Sequence, residues 1–203
     1  MIADKVNSIG IGLFNWLNLP ENLEIILSLI FFDFFIYLQH IATHKFKFLW
    51  KFHQVHHADI DLDVSSGNRF HTIEIALSFL YKFLLILLIG PSSKAVILFE
   101  ILLNSMAMFN HSNIFIPKKI DNILRCFIVT PDMHRIHHSI KKNEHNSNFG
   151  FNLSIWDFIF KTYKESPSLG QLKMTIGLPY FRQQKYISPI SLLTMPFQTK
   201  DEE

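Results

Sequence analysis

Three apolar stretches of nearly bilayer length constrain this chain more than any other feature. They run from about Asn22 to Gln39, from about Ile73 to Ile89, and from about Lys94 to Phe109 and on toward Ile116. A helix needs roughly 20 such residues to cross the hydrocarbon core of a bilayer. Gly90-Pro91-Ser92-Ser93 separates the last two stretches, which therefore read as a helical hairpin with a tight turn. The alternative is a set of buried helices in a water-soluble protein. Each stretch carries only one or two charges, Lys82 among them, and all three fall within a chain of 203 residues, which favours insertion. An earlier segment, Ile9 to Leu19, is too short to span and is interrupted or ended by Asn15, Asn18 and Pro20; it is expected to be interfacial or re-entrant. Asp4 beside Lys5, with no small-residue cleavage site after the apolar run, argues against a cleaved signal peptide.

With three spans, residues 40–72 and the chain from Phe109 onward lie on the same side of the membrane. All eleven histidines fall in these two segments or at their membrane edges. Lys45, Lys47, Lys51 and Arg69 lie there too, with most of the remaining Lys and Arg, whereas the opposite face has little beyond Lys5 and Lys94. The positive-inside rule then makes the histidine side cytoplasmic. The expected architecture is all-α: an integral, multi-pass membrane protein of helical hairpins with a cytoplasmic helical cap. Its expected parts are an interfacial or re-entrant segment over residues 1–21, a membrane-embedded domain over 22–163, and an interfacial tail over 164–203 ending in Asp201-Glu202-Glu203.

Composition removes other readings. Hydrophobic residues are 49% of the chain, charged residues 18%, and there are 21 Phe, which argues against a disordered chain. A net charge of +2 gives no case for nucleic acid. The single cysteine, Cys126, rules out an internal disulfide and any cysteine-rich metal site. The seven glycines form no dinucleotide or phosphate-binding array.

What stands out in so apolar a chain is the histidine pattern. His40-Ile41-Ala42-Thr43-His44 closes the first span, and the spacing H-x-x-H-H occurs twice, as His53, His56, His57 and as His134, His137, His138. Residues three or four apart share a helix face, so each box is expected to aim its imidazoles at one point. Neutral imidazole binds iron, zinc and copper well. Ile41 stands where a zinc protease motif H-E-x-x-H needs glutamate. Eight imidazoles exceed what one ion commonly takes from a protein and point to a dimetal site. The charge of such a site must be offset by bound oxide, bound hydroxide or carboxylates around the ligands. Asp33, two helical turns before His40 inside a span, is one candidate, a helix–helix hydrogen bond being its other reading. Glu74 and Asp157 are further residues that either receive an imidazole N–H or are structural. His71, at the start of the second span, is either such a neighbour or a solvated interfacial histidine. His145, in the polar stretch Lys141-Lys142-Asn143-Glu144, reads as a surface residue.

Over residues 30–165 the chain resembles the fatty acid hydroxylase superfamily, which includes the sterol desaturases and related bacterial membrane proteins. The resemblance rests on the three boxes in order, together with Asp33, Tyr37 and His40, the run Arg69-Phe70-His71-Thr72-Ile73-Glu74, Asn110-His111-Ser112-Asn113, Thr130-Pro131-Asp132-Met133-His134, and Asn148-Phe149-Gly150 leading to Trp156-Asp157 and Thr162-Tyr163. It implies a cytoplasmic di-iron cluster held by His40, His44, His53, His56, His57, His134, His137 and His138, with His111 as a ninth ligand. It also implies an oxidoreductase that uses O2 to hydroxylate or desaturate C–H bonds of a lipid or sterol-like substrate. Two departures are visible. Ala107 stands one turn before His111, where relatives often place another ligand, leaving that position to water, to Asn104 or Asn110, or to nothing. Ile41 replaces an arginine common in the first box. No flavin, haem or nicotinamide motif is present, so electrons are expected from an external ferredoxin or cytochrome type of donor docking near Lys45, Lys47, Lys51, Lys141 or Lys142. The same imidazoles suit zinc, which leaves two rivals: a zinc-loaded membrane hydrolase, and a non-catalytic metal-binding membrane protein.

Overall fold

In the computed structural model, which describes residues 2–198, every regular element is a helix. The acidic end Asp201-Glu202-Glu203 lies outside the described residues. Two short helices open the chain, α1 (Ile2–Ile9) and α2 (Leu13–Leu17). Then comes α3 (Glu21–Lys45), followed by the short α4 (Lys47–His53) and the hairpin of α5 (Thr72–Ile89) and α6 (Ser93–His111). The three long helices are long and apolar enough to cross a membrane. At 1.5 Å per residue α3 measures about 37 Å, against a hydrocarbon core of roughly 30 Å.

Local chemistry sets the ends of the hairpin. His71 caps α5 by accepting the Ile73 N–H at its Nδ1 atom, and Gly90 ends that helix in the left-handed region at φ 67°. Ser92 then caps α6 by accepting the Ala95 N–H. Gly12 packs against this turn so closely that a Cβ there would lie 2.3 Å from the Gly90 nitrogen. Asn7 donates to the Pro91 carbonyl at 3.0 Å. The segment before α3 thus rests on the hairpin turn, at the end of the bundle away from the histidines. Between helices in lipid, association depends on packing and hydrogen bonds. Here Phe32 of α3 stacks on Phe99 of α6 with centroids 5.0 Å apart, and Glu24 of α3 accepts from the Ser92 backbone at 2.9 Å.

Beyond α6 the chain forms a cap of short helices: α7 (Lys118–Leu124), α8 (Pro131–His137), α9 (Lys142–His145), α10 (Ile155–Ile159) and α11 (Pro189–Thr194). Thr130 caps α8 and Pro131 occupies its first turn, where the missing N–H costs nothing. The Thr130 hydroxyl also donates to buried Asp121 at 2.6 Å, which pairs with buried Arg125 at 2.7 Å. Residues after 163 are more than a loose cover. Leu178, Phe181 and Met195 build a core with Val55 and Ala58, and the Gly177 N–H donates to the His138 carbonyl at 2.9 Å.

Candidate metal centre

Nine histidines converge where the cap meets the ends of α3 and α6. They form two groups, and within each group one ring nitrogen per residue lies within 4.8 Å of all the others. His40, His44, His53, His57 and His137 make the first; His56, His111, His134 and His138 make the second. All nine sequence candidates are present. The boxes, however, do not each aim at one point. His53 and His57 serve the first group and His56 the second, whereas His134 and His138 serve the second and His137 the first. The reason is helical phase. In α8, at 3.6 residues per turn, positions i+3 and i+4 lie on opposite sides of i, about 100° apart; after His53 the chain leaves α4, and the 3-10 turn His56–Ala58 sets adjacent residues about 120° apart. Adjacent histidines therefore face different groups, and each H-x-x-H-H box bridges both.

Backbone carbonyls and one carboxylate orient these rings. The Nδ1–H of His40 donates to the Phe149 carbonyl at 2.9 Å, that of His137 to Ser147 at 2.8 Å, that of His56 to Arg69 at 3.2 Å, and that of His111 to Ala107 at 2.7 Å. His53 Nδ1 donates to Glu74 Oε1 at 2.6 Å. A carbonyl can only accept, so these bonds put the proton on Nδ1 and leave Nε2 as the free donor of an electron pair. The Nε2 atoms of His53, His57 and His137 are buried with no hydrogen-bond partner. In the second group the Nε2 atom of His111 stands 3.1 to 3.2 Å from those of His56, His134 and His138, and the last two are 3.2 Å apart. Such spacing belongs to nitrogens sharing an ion at a metal–nitrogen distance of about 2.0 to 2.1 Å. Orphaned nitrogens in one group and crowded nitrogens in the other both fit bound metal.

Burial, and after it the neighbouring imidazoles, holds His56, His57, His134, His137 and His138 well below the ordinary histidine range. These rings are neutral in the fold, whereas in an unfolded chain they take up protons below about pH 6.5. Their contribution to stability is full above that value and is lost as pH falls through it, by up to about 1.4 kcal/mol per histidine per pH unit. The melting temperature of metal-free protein should therefore drop steeply below about pH 6.5, and bound metal should delay the drop. Thermal melts with and without metal check this; equal, flat profiles would contradict it.

The family model for fatty acid hydroxylases matches residues 25–162, more than half of the chain. The chain belongs to the fatty acid hydroxylase family. Among curated relatives it is 28% identical to the ornithine lipid hydroxylase OlsE of Rhizobium tropici over 148 residues, which is 73% of this chain and 44% of that protein. It is 32% identical to the human alkylglycerol monooxygenase over 135 residues, 65% of this chain and 28% of that protein. The Xenopus tropicalis alkylglycerol monooxygenase is 30% identical over 134 residues, covering 64% and 28%. The chain thus spans less than half the length of these relatives. No solved structure matches it. The family match thus falls on a chain with three helices long and apolar enough to cross a membrane.

The remaining sequence candidates divide. Glu74 reaches a histidine. Asp33 and Asp157 do not; they brace the loop whose carbonyls do. Asp33 accepts from the Trp156 indole at 2.7 Å and from the Asn152 and Leu153 N–H groups, both at 3.2 Å. Asp157 accepts from the N–H groups of Phe149 and Gly150 at 2.8 and 2.7 Å and from the Thr162 hydroxyl at 2.6 Å. Burial pushes Asp157 up to about 6 against the pull of those hydrogen bonds. His71 is buried and capped rather than solvated, its Nε2–H donating to the Leu193 carbonyl at 3.1 Å. His145 is no free surface residue either. It stacks on Trp50 at 5.4 Å and 14°, with its centroid 5.9 Å from that of His44. Trp50 also lies against His44 and His57. Asn110 and Asn104, considered for the position left by Ala107, give their amide N–H groups to the Phe151 and Glu100 carbonyls, both at 2.7 Å.

A cavity of about 330 Å³ opens between α3, α5 and α6 and reaches the centre at His40, His53 and His56. Phe70, Phe79 and Phe151 supply much of its apolar wall. Glu74 sits where cavity and centre meet. Replacing it by alanine should weaken metal binding about 10- to 100-fold by releasing the His53 ring, with glutamine intermediate. A metal-competition titration reads this, and unchanged affinity would separate Glu74 from the centre.

Proposed function

We propose that this protein is an oxygen-dependent di-iron membrane oxidoreductase that hydroxylates a C–H bond of a membrane lipid, with the nine histidines as ligands of two irons on the cytoplasmic side. The observation that carries the reading is the meeting of the two histidine groups with an apolar cavity walled by the three long helices α3, α5 and α6. The named hydroxylase and monooxygenase relatives favour hydroxylation over desaturation, and their lipids favour a polar-headed membrane lipid over a sterol. The predominance of Lys and Arg on the histidine side supports its cytoplasmic placement.

Bound iron would supply the activation of O2 that no side chain offers. The chain's own residues do the rest. The carbonyls of Arg69, Ala107, Ser147 and Phe149, together with Glu74, hold the imidazoles in one tautomer and orientation. The α3–α5–α6 cavity places a lipid chain beside His40, His53 and His56, and its aromatic wall keeps water away from the reacting carbon. Electrons come from an external ferredoxin or cytochrome type of donor. Trp50, His44 and His145 are the half-buried part of the centre, and exposed Lys45, Lys47, Lys51 and Lys142 lie close to them in sequence. That side suits an acidic donor protein.

Lipid analysis of a strain lacking the gene and of its parent, grown under isotopically labelled dioxygen, tests the reaction. The expected result is a hydroxylated lipid, labelled at its new oxygen, that only the parent makes. Identical lipid profiles, or product oxygen drawn from water, would overturn the proposal.

A further inference from the structure

One feature of the cavity lies outside the metal chemistry. Lys82 of α5 and Glu100 of α6 form an ion pair with N and O 2.5 Å apart, and both line the cavity. The depth of the pair follows from helix arithmetic. Lys82 lies eight residues beyond Glu74, which touches His53, and Glu100 lies seven residues before Ala107, which touches His111. At 1.5 Å per residue both counts put the pair roughly 10 to 12 Å from the centre, toward the middle of the membrane.

A clamp between α5 and α6 is the plain reading of such a pair. It is a costly clamp, because desolvation of two charges offsets most of their attraction, and an apolar contact of the same volume holds helices at least as well. Ionisable residues within spans are instead usual at substrate sites. The pair also keeps free bonding capacity: the Lys82 side chain is 20% exposed and that of Glu100 40%. An ammonium has three donors and a carboxylate about four acceptor positions, of which the mutual bond uses one each. Two more polar side chains, Ser78 and Asn104, line the same cavity one turn nearer the centre. A plain hydrocarbon chain has no use for these groups. A hydroxyl does, since it accepts from an ammonium and donates to a carboxylate at once.

We propose that the cavity recognises a lipid chain carrying a hydroxyl group, bound by Lys82 and Glu100, about 10 to 12 Å from the carbon presented to the metal centre. The inference rests on the cavity being the lipid site, but its test needs no turnover. Iron-loaded protein in nanodiscs is incubated with methyl stearate and with a series of methyl hydroxystearates that differ in hydroxyl position. Bound lipid is then read by native mass spectrometry. These esters are neutral, so a free carboxylate does not compete for Lys82.

Wild type should retain one or two neighbouring isomers about 10- to 100-fold over methyl stearate, the range expected of hydrogen bonds to charged groups. The double variant Lys82→Met with Glu100→Leu removes both charges together and leaves neither unpaired. It should lose the preference and retain the hydroxylated and plain esters alike. Equal retention of every ester by wild type would overturn the proposal, and so would a preference that survives in the double variant. Positional preference without any lipid oxidation would uphold this site and count against the proposed reaction instead.

Discussion

Replacing His137 by alanine should lower lipid oxidation at least about 100-fold and remove one of two bound irons. The size follows from position. His137 comes from α8 in the cap, but it joins the group otherwise made by α3, α4 and the turn after it, so it couples the cap to the membrane helices. Its Nε2 is buried without a hydrogen-bond partner, and its Nδ1 is held by the Ser147 carbonyl. Alanine leaves that carbonyl unpaired and opens a hole in the ligand set. Residues that merely orient ligands already cost 10- to 100-fold when lost, so losing a ligand should cost at least that much. The four histidines of the second group do not depend on His137 for their geometry and should keep their ion. His145→Ala is the matched control: it removes an imidazole close to the centre that belongs to neither group, and metal content should stay at the wild-type level. Metal analysis of both variants separates these outcomes. Full iron occupancy in His137→Ala would place His137 outside the ligand set.

The second large effect is on stability. Asp157→Ala should destabilise the protein by about 3 to 5 kcal/mol, because it strands two buried backbone N–H groups and one hydroxyl, each worth roughly 1 to 3 kcal/mol when unpaired. Asp157→Asn keeps one acceptor oxygen and should cost about half as much. The loss should reach the metal centre through a single contact, since Phe149, held by Asp157 at its N–H, accepts from His40 at its carbonyl. Unfolding by detergent titration gives the stability. Metal affinity measured on the folded variant gives the coupling, and an alanine variant as stable as wild type would dismiss the bracing role.

The three long helices were legible because lipid demands long apolar runs, and a turn such as Gly90-Pro91-Ser92-Ser93 marks where they reverse. Eight of the nine clustered histidines were legible from spacing, because helical periodicity makes it a statement about direction, whereas His111 came only with the family resemblance. The division of each H-x-x-H-H box between two groups was implicit in that same periodicity. The common assumption that residues three and four apart face one way concealed it. Other parts had no sequence signal. Most partners that orient the rings are backbone carbonyls, which every residue carries, so nothing marks Arg69, Ala107, Ser147 or Phe149 for the task. The sequence marks Asp33 and Asp157 as candidate partners of the centre or structural acids, and only tertiary contacts show that they hold a loop and not an imidazole. His145 looked like part of a solvated run until α9 folded it onto Trp50. The approach of Lys82 to Glu100 depends on how α5 and α6 diverge around the cavity, which hydropathy does not report.

The proposed holding of two irons by nine histidines, for use of dioxygen on lipid, is tested by quantifying metal in protein purified without added metal, alongside dioxygen consumption when a chemical reductant and membrane lipid are supplied. About two irons per chain, with dioxygen uptake that requires lipid and disappears in His137→Ala, is the result expected. Two tightly held zinc ions per chain, with no lipid-dependent dioxygen uptake after iron is supplied, would contradict it.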